Sequence, residues 1–269
     1  NISLNIKCGS FFGLLGPNGA GKSTLINIIG GTVIKSEGLV KIWDINIDTN
    51  RKQSKLAVGI VPQELNIDAF FTPKEQLELQ AGLFNVPQKE RITDKILEIM
   101  ELTSKANAYS RTLSGGMRRR LLVAKSMIHN PPIIILDEPT AGVDVELRKK
   151  LWKNFKKLNS LGVTIILTTH YLEEAESLCD EIAIIHKGEI VTKGTKKTLL
   201  SKVDKKIVGI KLEKALSAKV LQKLKNLGKI KLNDQYCEVH YIPSKTSIDD
   251  IISFLKKEKI KILDLKTRE

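Results

Sequence analysis

Eight consecutive residues, Gly16-Pro17-Asn18-Gly19-Ala20-Gly21-Lys22-Ser23, fit G-x-x-x-x-G-K-[ST], a loop pattern that cradles phosphate oxygens. Glycine lets the backbone N–H groups curl around an anion, and a helix starting at such a loop adds positive partial charge. Lys22 can reach the β- and γ-phosphates of a nucleotide, the Ser23 hydroxyl can ligate Mg²⁺, and Thr24 continues the polar rim. A second group, Ile133-Ile134-Ile135-Leu136-Asp137-Glu138, runs four apolar residues into two carboxylates. A strand there would deliver Asp137 to a metal and place Glu138 to take a proton from an attacking water. Carboxylates at strand ends are common; the phosphate loop upstream is what makes this pair informative. The third group is Leu113-Ser114-Gly115-Gly116-Met117. A serine and two glycine amides opening a helix offer a second anion site, although such a string by itself is an ordinary N-cap.

The elements that must position these groups follow a strand–helix rhythm. Residues 11–15 form an apolar run ahead of the loop, and Leu25, Ile26, Ile28 and Ile29 have helical spacing after it. Residues 38–42 and 57–61 are further strand candidates. Thr72-Pro73-Lys74-Glu75 combines a capping box with proline at the first helical position, and Ile92, Ile96, Ile99 and Met100 mark another helix. A helix over 116–127 stops before Pro131-Pro132. The spacing then predicts strands over 133–136 and 163–168, helices over 145–159 and 173–179, and a hairpin of 182–185 with 189–191. Apolar strands separated by helices imply a mainly parallel α/β sheet interrupted by a helical insertion. A boundary falls near 201–206. Beyond it the pattern reads strand (207–212), helix (215–227), strand (230–232), strand (236–242), helix (248–258) and strand (260–265), the β-α-β-β-α-β order of ferredoxin-like domains.

The chain has 269 residues and a net charge of +14, of which +7 comes from 16 Lys/Arg against 9 Asp/Glu in residues 203–269. The lysines are dispersed and no aromatics interleave with basic residues, so a solvated basic surface is expected and nucleic acid is not. The one tight basic run, Arg118-Arg119-Arg120, reads as a solvated helix face. No apolar run approaches the ~18 residues of a membrane span. Cys8, Cys179 and Cys237 are isolated, as expected of a reduced compartment with cysteines acting as small buried hydrophobes.

The phosphate loop, the Leu113–Met117 string and the carboxylate pair, in that order, resemble the three diagnostic motifs of the ATP-binding-cassette (ABC) ATPases. The resemblance covers residues 1–200 or so. It implies an α/β P-loop NTPase cassette over 1–202, with its helical insertion at about 64–128, followed by an accessory ferredoxin-like α+β domain over 203–269. It further implies that Gln63 is the glutamine that contacts Mg²⁺ or water and senses a membrane partner. Asp144, in Ala141-Gly142-Val143-Asp144, would lie at a dimer interface, and His170 would contact the γ-phosphate. Ser114, Gly115 and Gly116 would bind the γ-phosphate held by a second cassette. ATP and Mg²⁺ are the implied cofactors. The implied assembly is a homodimer or pseudo-dimer of cassettes on a separate membrane permease, at the cytoplasmic face of the membrane. The strings around Ser114 and His170 look most like exporter-type cassettes that move drugs, lipids or polysaccharides. The rival reading is a soluble ABC ATPase acting on ribosomes or chromosomes, whose relatives usually carry paired cassettes or long coiled coils. Met117 replaces a usual glutamine. Asp44 stands where many relatives have a turn glycine, and a positive φ is expected there. His129 has no such context and is expected to be a surface or core residue.

Overall fold

The computed structural model describes residues 2–203, 206–214, 216–233, 236–241, 246–258 and 260–268. It divides into two compact units, Asn1–Lys196 and Lys197–Glu269. In the first unit the chain runs β1 (Phe11–Leu15), α1 (Lys22–Ile29), β2 (Lys41–Ile42), β3 (Ile45–Asn46), α2 (Arg51–Leu56), β4 (Val58–Val61), α3 (Pro73–Leu83), α4 (Thr93–Ile99) and α5 (Gly115–Met127). It continues through β5 (Ile133–Asp137), α6 (Val145–Ser160), β6 (Thr164–Thr169), α7 (Leu172–Leu178), β7 (Glu181–His186) and β8 (Glu189–Thr195).

Six of these strands form one sheet in the order β4-β5-β6-β1-β7-β8. All pairs are parallel except β7 with β8. Every residue of β6 is buried, as a strand covered on both faces requires, which explains its near-continuous apolar run. One core packs Phe12, Leu14, Ile135 and Ile166 from the sheet against Ile26 of α1. The expected strand over 38–42 shrinks to Lys41–Ile42, which pairs with β3. In the turn between them Trp43, with φ 53°, takes the left-handed conformation; Asp44 does not. The expectation for Asp44 is thus corrected by one residue.

The helical insertion opens with the capping box read from the sequence: Thr72 and Glu75 each accept the other's backbone N–H, and Pro73 begins α3. Its third helix, α5, seats directly on the sheet. A Cβ on Gly59 of β4 would lie 2.1 Å from the Ser126 carbonyl oxygen, so only glycine admits this approach. The basic run of α5 is not a solvated face. Arg119 is 5% exposed, and none of the three arginines is fully exposed. Each guanidinium is spent on backbone carbonyls: Arg118 on Arg111, Arg119 on Pro62 and Gln63, Arg120 on Met100 and Glu101.

The second unit starts within α8 (Lys196–Val203) and continues with β9 (Lys206–Leu212), α9 (Ala218–Leu224), β10 (Lys229–Asn233), β11 (Tyr236–Tyr241), α10 (Ile248–Lys257) and β12 (Ile262–Arg268). The sheet order β10-β11-β9-β12 is antiparallel throughout, the split β-α-β arrangement of ferredoxin-like folds. Val208, Ile210, Val239, Leu224, Ile251 and Leu255 give it a core of its own. The expected boundary at 201–206 includes residues 204 and 205, and the expected helix start at Ala215 and strand end at Ile242 likewise lie outside the described residues. Cys179 and Cys237 are buried, and burial pushes the Cys237 thiol up to about 11; Cys8 is exposed, against expectation.

Because every phosphate-directed motif lies between Gly16 and His170, removal of residues 204–269 is expected to leave a soluble chain that binds ATP with unchanged affinity. Calorimetric titration of the truncated chain checks this. Insoluble protein or lost ATP binding would mean that the second unit completes the first.

Candidate nucleotide site

The site forms at the carboxyl ends of three adjacent strands. β1 lies beside β6 with Leu15 opposite Thr169, and β6 lies beside β5 with Asp137 opposite Thr168. Residues from three distant stretches of sequence therefore leave the sheet at one level. In open α/β sheets this edge is where ligands bind.

The loop from β1 to α1 begins with Gly16, whose N–H donates to the Thr169 carbonyl at 3.3 Å. A Cβ there would meet the Ile185 carbonyl oxygen at 2.4 Å. Gly19 and Gly21 adopt φ of 77° and 103°, a region L-residues rarely occupy. Pro17, Asn18, Ala20 and the exposed Ser23 and Thr24 complete the turn into α1. Loop amides, a helix N-terminus and Lys22 make a donor set that fits a polyphosphate anion.

Lys22 is 5% exposed, and its ammonium donates to the Gly16 carbonyl at 2.8 Å and the Pro17 carbonyl at 3.2 Å. It also pairs with Glu138 Oε1 at 3.2 Å. The other oxygen of Glu138 lies 3.1 Å from His170 Nδ1, so one buried carboxylate bridges the lysine of β1's loop and the histidine after β6. Glu138 has φ 43°, a strained conformation for a non-glycine residue. Its N–H is held by both the carbonyl and the hydroxyl of Thr168 at 3.1 Å. The same hydroxyl donates to Asp137 Oδ1 at 2.5 Å. Thr168 thus fixes both carboxylate residues.

Lys22, Asp137, Glu138 and His170 are brought together. Gln63 is exposed; its carbonyl accepts from Arg119 at 2.8 Å, and its side chain has no hydrogen bond among the described residues. Ser114 is also exposed, as N-cap of α5, its hydroxyl accepting from the Met117 N–H at 3.3 Å. Gly116 lets α6 come close, since a Cβ would stand 2.4 Å from Leu147 Cδ1, while Gly115 is open to solvent. Asp144 caps α6 by accepting from the Leu147 N–H at 2.9 Å. No hydrogen bond joins Ser114, Gly115, Gly116 or Asp144 to Lys22 or Glu138 among the described residues.

Sequence reasoning did not single out Thr168, Arg119 or Glu174. Glu174 is 2% exposed, and its Oε1 accepts from the Thr140 hydroxyl at 2.8 Å and from Trp152 Nε1 at 3.0 Å, tying α7 to the loop after Glu138 and to α6. An acidic residue inside an otherwise apolar helical stripe was the available signal.

A hollow of about 410 Å³ lies beside Gln63, walled by Pro62, Asn66, Gln80, Phe84, Lys125 and His129. His129 stacks on Phe84 at 3.8 Å, donates from Nε2 to the Val58 carbonyl at 3.3 Å, and has its pKa lowered by burial.

Fold and site together are those of a P-loop nucleotide-binding protein. The family described as ABC transporter matches residues 1–141, over half of the chain, and this chain belongs to that family. It is 39% identical over 203 residues to a Nod factor export ATP-binding protein I of Ralstonia nicotianae, covering 74% of this chain and 63% of the relative. It is 40% identical over 204 residues to the linearmycin resistance ATP-binding protein LnrL of Bacillus subtilis, covering 75% and 66%. The match thus spans under two-thirds of the length of these relatives. Among solved structures, a dimeric ATP-binding cassette in a post-hydrolysis state with ADP and Pi superposes with a TM-score of 0.64 at 32% identity, covering 73% of this chain and 89% of that one. CbiO1 of Clostridium perfringens, part of an ABC transporter complex, gives 0.68 at 27% identity, covering 75% and 83%.

Proposed function

We propose that this chain binds and hydrolyses ATP as the energy-coupling subunit of an exporter, working through a separate membrane permease. The observation that carries the reading is the meeting of Lys22, Asp137, Glu138 and His170 at one sheet edge, below a glycine cradle. In this reading Gly16 to Thr24 hold the phosphates and Lys22 neutralises the β- and γ-oxygens. Glu138 takes the proton of the attacking water, and His170, already bonded to that carboxylate, orients it and contacts the γ-phosphate. Ser23, Asp137 and Gln63 would hold Mg²⁺, which when bound neutralises developing phosphate charge. The exposed Ser114, Gly115 and Asp144, together with the Gly116 amide, serve the nucleotide of a second cassette, so two copies or near-copies close around two ATP molecules.

Relatives named for Nod factor export and linearmycin resistance favour export of a lipid-like, drug-like or polysaccharide-like substrate. No helix among the described residues is long and apolar enough to cross a membrane. We place the chain on the cytoplasmic face of the membrane, bound to its permease. Co-purification from solubilised membranes tests this: recovery of a polytopic membrane protein is expected, and recovery of ribosomal or chromosomal proteins instead would replace the reading.

The hollow beside Gln63 is the surface offered to the permease. Phe70, 74% exposed, and Phe71, 43% exposed, follow Gln63 closely in the chain. Adjacent solvated aromatics of this kind are interface material. Phe70→Ser with Phe71→Ser is expected to weaken permease co-purification at least tenfold, leaving ATP affinity unchanged. Global unfolding of the double variant, seen by circular dichroism, would assign the pair to the core.

A further inference from the structure

Away from the nucleotide site, a cavity of about 450 Å³ lies between the C-terminal end of α4 and the outer side of α6. Its size falls within the ~300–1,000 Å³ of small-molecule sites. Ile99 and Glu101 form one wall, and Lys153, Asn154, Lys156 and Lys157 the other. The three lysines sit at i, i+3 and i+4, so one stretch of helix presents all three charges together.

These charges are unbalanced. Lys153, Lys156 and Lys157 have no carboxylate partner among the described residues, whereas the neighbouring Lys150 is bound to Glu146 at 2.8 Å. Glu101 is the one carboxylate in the wall, and its Oε2 is already engaged by Arg120 Nη1 at 2.9 Å. The cavity therefore sets three lysine ammonium groups against one carboxylate that Arg120 already engages, a net positive potential.

Asn154 is the second, independent observation. It is 6% exposed and stands between the buried apolar residues Leu151, Phe155 and Leu158. Its side-chain amide has no hydrogen-bond partner among the described residues, yet it borders the cavity. The amide atoms are not themselves sealed from solvent, so they open onto the cavity and are available to a ligand. A donor facing three unpaired ammonium groups is the composition of an anion site.

We propose that the cavity between α4 and α6 binds a phosphate-bearing anion, held by Lys153, Lys156 and Lys157 and hydrogen-bonded by the Asn154 amide. Lysines act as compact point charges suited to phosphate, and no arginine fork that would select a planar carboxylate lines the wall. The phosphate could belong to a soluble metabolite or to a phospholipid headgroup. Either would join α4 of the helical insertion to α6 of the strand–helix core.

The test uses the full chain with its phosphate loop filled by a non-hydrolysable ATP analogue, so that the added probe cannot compete there. One arm titrates inorganic pyrophosphate calorimetrically. The other measures co-sedimentation with vesicles of phosphatidylserine and phosphatidylcholine, against phosphatidylcholine alone. The wild-type chain is expected to bind at least one of the two probes, and the responding arm identifies the source. Combined Lys153→Gln, Lys156→Gln and Lys157→Gln, all on exposed side chains, should weaken that binding by roughly tenfold or more, since charge-assisted contacts are lost. Asn154→Leu should weaken it too, with affinity for the ATP analogue unchanged in both variants. Absence of binding in both arms, or binding by the triple variant equal to wild type, overturns the proposal. If Asn154→Leu fails to fold, the triple variant alone decides.

Discussion

Glu138→Gln is expected to reduce ATP turnover by ~10² or more while ATP binding survives. The side chains are nearly the same size, and Glu138 sits in a close-packed setting between Lys22 at 3.2 Å and His170 at 3.1 Å. Glutamine can keep a contact to both neighbours but cannot accept the proton of an attacking water. Asp137, fixed by the Thr168 hydroxyl, keeps its charge in the variant. The loss should therefore fall on kcat rather than on ATP affinity, the signature of an interaction made only in the transition state. With hydrolysis blocked, the ATP-bound dimer should accumulate and be seen by size-exclusion chromatography. Turnover near wild type would exclude Glu138 as the base.

The second large effect concerns how sites are shared between subunits. Lys22→Ala removes the charge that neutralises the β- and γ-phosphates at its own loop. Ser114→Arg places a bulky side chain at the exposed N-cap of α5, where it would block the surface offered to a neighbour. Each variant alone should be inactive, having a lesion in both sites of its dimer. Mixed and re-paired at random, half of the dimers combine both lesions in one site and leave the other intact. Activity should then return to roughly a quarter of wild type if sites act independently, an idealised ceiling of two-state pairing. No rescue, with heterodimers demonstrated by differential tagging, would mean that one intact site is insufficient or that Ser114 serves its own chain.

What the sequence disclosed and what it withheld divide along a physical line. The glycine loop, the capping box at Thr72 and the serine cap at Ser114 are local, because each needs only a few consecutive residues to fix its geometry. The meeting of Lys22 with Glu138 and His170 depends on strand order, which places β6 between β5 and β1. Motif order along the chain says nothing of that. Thr168 was overlooked because a threonine late in an apolar strand looks like ordinary β-propensity. Arg118-Arg119-Arg120 misled for the opposite reason: three charges suggest solvent, yet carbonyls left unpaired at Gln63 and at the end of α4 drew them inward. The turn at Trp43 was misplaced by one residue: of the two central residues, the first takes the positive φ although Asp44 is the type better suited to it.

The Arg119 guanidinium grips the Pro62 and Gln63 carbonyls at 3.2 and 2.8 Å from one turn beyond Gly116. The segment carrying Gln63 and the helix headed by Ser114 are consequently joined by this side chain as well as by the packing of α5 on β4 at Gly59 and Ser126. In the proposed reading, a push on the loop from a permease would reach the head of α5 through this grip without crossing the nucleotide. Conversely, a nucleotide that captures that head from across a dimer would tug the loop outward. Because the grip is on backbone oxygens, the linkage transmits displacement regardless of which side chains occupy positions 62 and 63. Severing it, rather than altering Gln63 itself, is what would let the two ends of the cassette move out of step.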